Sequence, residues 1–202
     1  TRFVAITDDD CFVENEWLEQ LLVYLREHPG SIVTGRVEAA GDDMIVVVTS
    51  TEPAIYHKPR LKFDSMSGGN MATSMAIFDR IGHFDEHPSL ATAEDAELSY
   101  RALRSGVYIV YRPEPGVRHF GWRDKDSRAR QYRGYARSHG GFYGKYIRRG
   151  DLFIALRAMS HFARSGRRWL VGALTGDEET ALLGRAYVLG LFPGILAGLT
   201  RK

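Results

Sequence analysis

The spacing of apolar positions changes along the chain, from short runs and alternation to the three-and-four spacing of helices. Arg2-Phe-Val-Ala-Ile-Thr7 is a short apolar run that reads as a buried strand. Trp17, Leu18, Leu21, Leu22 and Leu25 then recur at helical spacing, and His28-Pro29-Gly30 supplies the stop. Ser31–Val37 and Met44–Thr49 read as strands separated by the turn-like Ala-Gly-Asp-Asp. Residues 50–66 are polar, with Pro53 and Pro59 limiting regular structure. Ser67-Gly-Gly-Asn70 is a flexible turn that leads into the apolar run Met71–Phe78, after which a short helix stops at Gly82. Glu94–Ser105 reads as a helix with Gly106 as its C-cap, and Tyr108–Arg112 as a strand closed by Pro113 and Pro115. From about residue 125 the pattern is helical to the end. Strands mixed with helices, then helices alone, predict an α/β domain over 1–124 and a helical C-terminal extension over 125–202.

Composition narrows this. The 202 residues suffice for one sizeable core plus an appendage, and 44% hydrophobic with 26% charged content is ordinary for a soluble globular protein. A net charge of +2 provides no strong overall field for nucleic acid, and no nucleic-acid partner is expected. The distribution is uneven, however. From Arg118 to Arg168 there are 14 basic residues against three acids, Asp124, Asp126 and Asp151. Such a stretch suits an anionic partner, such as a nucleotide, a lipid-linked phosphate or a phospholipid surface. The plainer alternative is a solvated helix face.

Cys11 is the lone cysteine, so there is no disulfide framework and a reducing compartment is expected. No signal peptide is visible, which points to a cytoplasmic location with possible membrane association. The chain begins with Thr in what reads as a core strand, so the N-terminus reads as a truncation. Gly184–Leu199 is apolar but interrupted by Arg185 and Pro193, short of the roughly 20 apolar residues a spanning helix needs. It reads as a packed core helix, with a helix on the membrane surface as the alternative.

Three features can carry chemistry. Asp8-Asp9-Asp10 follows the first strand directly, and three adjacent carboxylates are costly unless a cation or donors offset them. In an extended segment Asp8 and Asp10 point the same way and can share a hard cation, Mg²⁺ or Mn²⁺. A surface turn rich in Asp is the alternative, but an apolar strand feeding the cluster favours a site, because strand ends are where α/β sites lie. Glu94-Asp95 with Glu97 opens a helix, where the macrodipole alone would favour acids. His119 follows the Tyr108–Arg112 strand; a lone histidine is more often structural than a ligand.

The order of these pieces resembles the family-2 glycosyltransferases of GT-A fold. The resemblance rests on Phe3-Val-Ala-Ile-Thr-Asp-Asp-Asp-Cys11 with Trp17-Leu18, Gly68-Gly-Asn-Met-Ala72, Arg80-Ile-Gly-His-Phe-Asp-Glu86, Ala93-Glu-Asp-Ala-Glu-Leu98 and Tyr100-Arg-Ala-Leu103. It covers about residues 1–150. It implies a partial GT-A sheet, Rossmann-like, whose N-terminal nucleotide-binding part is missing, followed by the helical extension. It further implies an inverting transfer of a sugar from a UDP-, GDP- or dTDP-sugar to a glycan or lipid-linked acceptor, in bacterial polysaccharide or glycolipid synthesis. Asp8 and Asp10 match the Asp-x-Asp acids that bind the metal and donor, and His119 a further metal or phosphate contact. Asp95 matches the general base. Glu94, Gly69, Asn70 and Arg133 join Asp8 in lining the donor and acceptor region. Gln131-Tyr-Arg-Gly134 departs from the Gln-x-x-Arg-Trp of processive synthases, so single-sugar transfer is expected. The basic C-terminal helices suit peripheral membrane contact.

Two rival classes compete. An Asp-based phosphatase or phosphotransferase also carries Asp-x-Asp after a strand, but Cys11-Phe12-Val13 fits its usual turn poorly. A nonenzymatic basic module binding RNA or anionic membrane through 118–168 leaves the acidic clusters unexplained.

Overall fold

The computed structural model describes residues 2–40, 48–120 and 125–201. They form two compact units, residues 1–84 with 98–122 and residues 85–97 with 123–202.

The first unit is built on a sheet of six strands among the described residues: β1 (Phe3–Thr7), β2 (Cys11–Val13), β3 (Ile32–Ala39), β4 (Ala54–Tyr56), β5 (Asn70–Ser74) and β6 (Ile109–His119). Their order is β1-β5-β3-β6-β2, with β4 also pairing β6. The β3–β6 pair is parallel and the others are antiparallel. Period-two alternation sorts the strand residues onto the two faces. Ile32, Met71 and Ile109 pack with Ile77, Phe78, Leu98 and Leu103. Their neighbours Val33, Ala72 and Val110 pack with Trp17, Leu21 and Leu25. Helix α1 (Trp17–Glu27) thus serves one face, and α2 (Met75–Ile81) with the later part of α3 (Glu94–Arg104) the other.

Several expectations hold here. Helix α1 ends at Glu27, before His28-Pro29-Gly30, and α2 ends at Gly82, whose φ of 85° suits glycine. Helix α3 ends before Gly106, at φ 76°. The apolar run after Asn70 divides into β5 and α2, with Ser74 between them in extended conformation. Residues 54–56 form a short strand inside a segment expected to be irregular. The expected strand Met44–Thr49 falls mostly outside the described residues; Val48 makes an isolated bridge with Val37.

Strand β6 runs on through Pro113 and Pro115, where the sequence suggested a stop. The parallel register explains this. Gly35 faces Arg112 and Val37 faces Val117, so residues 113–116 bulge out of the ladder and the prolines need donate nothing to it. The bulge is fixed from inside: Asn70 Nδ2 donates to the Pro115 carbonyl at 2.6 Å and to the Arg36 carbonyl at 2.8 Å. Gly35 is required there, because a Cβ would lie 1.9 Å from the Pro115 oxygen.

The second unit contains three long helices, α4 (Lys125–Ile147), α5 (Leu152–Thr175) and α6 (Glu178–Leu199), as the helical pattern predicted. Asp151 caps α5 by accepting from the Ile154 amide, and Asp177 caps α6 by accepting from Thr180. Glycines let α4 and α6 approach closely. A Cβ on Gly140 would meet the Leu191 oxygen at 2.3 Å, and one on Gly194 the Arg137 oxygen at 2.1 Å. Helix α6 starts at Glu178, earlier than the apolar stretch from Gly184, so its 22 residues make it long and apolar enough to cross a membrane by length and composition. This corrects the expectation that it falls short of a span.

Candidate functional site

Strand β1 delivers the three acids to its carboxyl end, but not in extended conformation. The Cys11 amide donates to the Asp8 carbonyl at 3.2 Å, closing a turn with Asp9 and Asp10 at its corners before β2 begins. Side chains do not alternate through a turn, so the expected pairing of Asp8 with Asp10 by extended geometry does not apply. Instead β2 pairs with the end of β6, setting Cys11 opposite His119. The Phe120 amide donates to the Asp10 carbonyl at 2.9 Å.

The result is a cluster of three. A carboxylate oxygen of Asp10, the Cys11 sulfur and a His119 ring nitrogen lie within 4.8 Å of one another. His119 Nε2 is 3.4 Å from Asp10 Oδ1. His119 is buried, and its Nδ1 has no hydrogen-bond partner among the described residues.

Asp8 stands beside this cluster. A Cβ on Gly69 would lie 2.5 Å from Asp8 Oδ2 and 3.5 Å from the Cys11 sulfur, so the bare glycine leaves the space the carboxylate occupies. Loss of hydration, then repulsion by Asp10, push the Asp8 carboxyl above the usual range; His119 opposes this and Asp9 adds to it. Burial, then the Asp8 charge, likewise push the Cys11 thiol up. Carboxyls that repel one another and a histidine with an orphaned nitrogen form a donor set that a divalent cation would relieve, whereas the thiol is a soft donor that Mg²⁺ or Mn²⁺ does not favour.

Asn70 is fully buried. Its Oδ1 accepts from Trp17 Nε1 at 2.9 Å, its carbonyl accepts from Thr34 Oγ1 at 2.7 Å, and its amide holds the β6 bulge. It therefore anchors Gly69 in the loop behind Asp8.

The remaining candidates lie in the second unit. Glu94 and Asp95 occupy the first turn of α3, half-buried, with the Asp95 carboxylate accepting from the Ala96 amide at 2.7 Å. Glu97, on the next positions of that turn, is fully buried and accepts from Lys145 Nζ and from the Tyr146 hydroxyl, each at 2.6 Å. Asp85 accepts from Lys145 and from Arg201, both at 2.8 Å. Arg133 is exposed on α4.

Sequence reasoning passed over Cys11 as a donor, although its place beside Asp10 was the signal. It also passed over Lys145, whose signal was a single cation in the otherwise uncharged run Gly140–Ile147. Phe12 and Phe120 pack edge to face at 4.6 Å beside the cluster, each still well exposed, a pairing of β2 with the end of β6 that the sequence does not disclose.

Residues 1–139 match the family model described as glycosyltransferase like family 2. Among solved structures the chain is similar to GalNAc-T7 crystallised with UDP, GalNAc and Mn²⁺, at 17% identity and a TM-score of 0.47 over 73% of this chain and 34% of that one. It is also similar to residues 1–349 of S. aureus TarS, at 14% identity and a TM-score of 0.50 over 94% of this chain and 67% of that one. The chain thus spans about a third of the first structure's length and two thirds of the second's. No curated protein sequence matches it. With the family model reaching residue 139 of 202 and a mixed α/β sheet of the GT-A type, the chain belongs to glycosyltransferase like family 2.

Proposed function

We propose that the complete protein transfers a single sugar from a nucleotide-sugar donor to an acceptor hydroxyl, with a divalent cation and inversion at the anomeric carbon. The observation that carries this reading is the gathering of Asp10, Cys11 and His119, with Asp8 beside Gly69, at the carboxyl end of β1 in a chain of this family. Asp8, Asp10 and His119 would hold the cation. Mn²⁺ or Mg²⁺ bound there supplies positive charge against the donor diphosphate.

The residues of this chain divide the remaining work. Asp95 takes the proton from the acceptor hydroxyl as its oxygen attacks the anomeric carbon, and the nucleoside diphosphate departs from the opposite face. Gly69 leaves room for Asp8 and the donor, and Asn70 holds Gly69 in place. Glu94 lines the acceptor side, and Arg133 meets a phosphate of donor or acceptor. The donor is a UDP-, GDP- or dTDP-sugar, and the acceptor a glycan or lipid-linked glycan. Residues 1–124 supply the catalytic part and 125–202 the helical extension, with 85–97 clustering with the helices. A cytoplasmic location at a membrane completes the reading.

Calorimetric titration of the complete protein with a panel of nucleotide sugars, with and without Mn²⁺, tests this. Metal-dependent binding that Asp10→Ala abolishes supports it and names the nucleotide. The absence of binding under any metal would shift the reading to an Asp-based phosphotransferase or a basic binding module.

A further inference from the structure

Helix α5 turns an apolar face outward. Along its 24 residues Leu152, Leu156, Met159, Phe162, Leu170 and Leu174 are all exposed, with Leu152 at 83%, Met159 at 68% and Leu174 at 78%. At about 100° per residue these six fall within a sector of roughly 120°. The other residues of that sector, Ala155, Ala163, Gly166 and Ala173, carry no charge. The opposite side, with Ile154, Arg157, Ala158, Ser165 and Gly172, is buried. The helix thus buries one side and leaves a separate apolar face to solvent for a length of about 36 Å.

Charge says what covers it. No Asp or Glu occurs from Leu152 to Gly176, while Arg167 borders the apolar sector, Arg164 and Arg168 lie farther round the helix, and Arg148 and Arg149 precede it. An apolar stripe bordered by Arg167 on one side and Trp169 on the other, on a helix without carboxylates, is the pattern of a helix lying in a lipid interface. A second copy packed through the same face would bring the same arginines and, within α5, no carboxylate to receive them. The sector is also wider than the narrow seam by which two helices zip together. A single exposed hydrophobic residue would mean nothing, but six along one uncharged face of a helix mark a surface that something covers.

We infer that α5 is an in-plane membrane anchor, seated with its outward apolar face among the acyl chains of an anionic bilayer and Arg167, with the arginines that precede the helix, toward lipid phosphates. The inference deepens the proposed membrane location, and it stands independently of whether the β1 cluster binds a donor. The basic patch alone would give salt-sensitive adsorption; the apolar row adds a component that salt does not remove.

The test is co-sedimentation of the complete protein with vesicles of phosphatidylcholine alone and of phosphatidylcholine with phosphatidylglycerol. The exposed positions permit substitution without disturbing the fold, which circular dichroism and retained nucleotide-sugar binding verify. Leu156→Gln/Met159→Gln should lower partitioning onto anionic vesicles by at least about tenfold. Arg167→Gln should weaken the preference for anionic over neutral vesicles. Undiminished partitioning of the apolar variant would overturn the inference. So would concentration-dependent dimerisation in vesicle-free buffer that the same variant abolishes, since a second copy would then be the occupant. Vesicle binding without nucleotide-sugar binding would sink the transferase reading alone.

Discussion

Lys145 Nζ lies 2.6 Å from Oε1 of Glu97, and the same oxygen accepts the Tyr146 hydroxyl at 2.6 Å. Glu97 follows Asp95 by two residues in the first turn of α3, so α4 grips the turn that carries the proposed base. A buried carboxylate left without its cation is the expensive case. Lys145→Met should therefore cost about 3–5 kcal/mol in the unfolding free energy, measured by urea denaturation. Glu97→Gln/Lys145→Met, which removes both charges, should recover a large part of that loss; failure to recover would mean the ion pair is not what α4 contributes.

Asp85 shares that grip and gives it a pH signature. Burial works to raise its carboxyl, but hydrogen bonds from Arg201, Lys145 and the His87 amide outweigh it and hold the group well below the usual carboxylate range. Because its folded value is depressed, its contribution is fully present above the unfolded value near 3.8 and is lost as pH falls from there toward the folded value. Acid unfolding of the native protein should consequently steepen below about pH 4. In Asp85→Asn the stability at neutral pH should be lower and the acid limb flatter. Parallel curves for the two proteins would exclude Asp85 as a source of acid sensitivity.

Much of the fold could be read from the chain because local signals and packing agree. His28-Pro29-Gly30, Gly82 and Gly106 stop helices where the backbone requires it. The misreadings have a common cause, a partner distant in sequence. Pro113 and Pro115 look like strand breakers until the bulge opposite Gly35–Val37 accommodates them. Asp8 and Asp10 look extended until the pairing of Cys11 with His119 bends the segment into a turn. Lys145 looks like one more solvated cation until Glu97 and Asp85 are beside it.

The α4–α6 contact makes glycine substitutions diverge in sign. A Cβ on Gly194 would stand 2.1 Å from the Arg137 carbonyl oxygen, a backbone atom that cannot swing aside. Gly194→Ala should destabilise by about 1–3 kcal/mol through overpacking. Gly134, in the same pair's α4, has nothing within 4 Å of its would-be Cβ. There the better helix propensity of alanine should stabilise by up to about 1 kcal/mol. Thermal melts of the two variants should move in opposite directions, and a common direction would contradict the packing described.

Asp95→Asn separates chemistry from binding. The amide is nearly isosteric but cannot accept the acceptor's proton, so turnover should fall by about 10²–10⁴-fold. Calorimetric affinity for the nucleotide sugar should stay within about twofold of native, since the base acts on the acceptor. Substantial turnover in this variant would remove Asp95 from the role of base and direct attention to Glu94.

Gly69→Ala probes the space beside Asp8. The added methyl would meet Asp8 Oδ2 at 2.5 Å, and that oxygen is the far end of a rotatable side chain. The carboxylate can rotate away, so the unfolding free energy should change by no more than about 1 kcal/mol. Rotation takes the carboxylate out of its place beside Cys11, so Mn²⁺-dependent nucleotide-sugar affinity should fall by about tenfold or more, the effect of displacing a ligand or its support. A stable variant with native affinity would mean that Asp8 binds neither metal nor donor. The cation would then rest on Asp10, Cys11 and His119, the three whose donor atoms the fold already gathers.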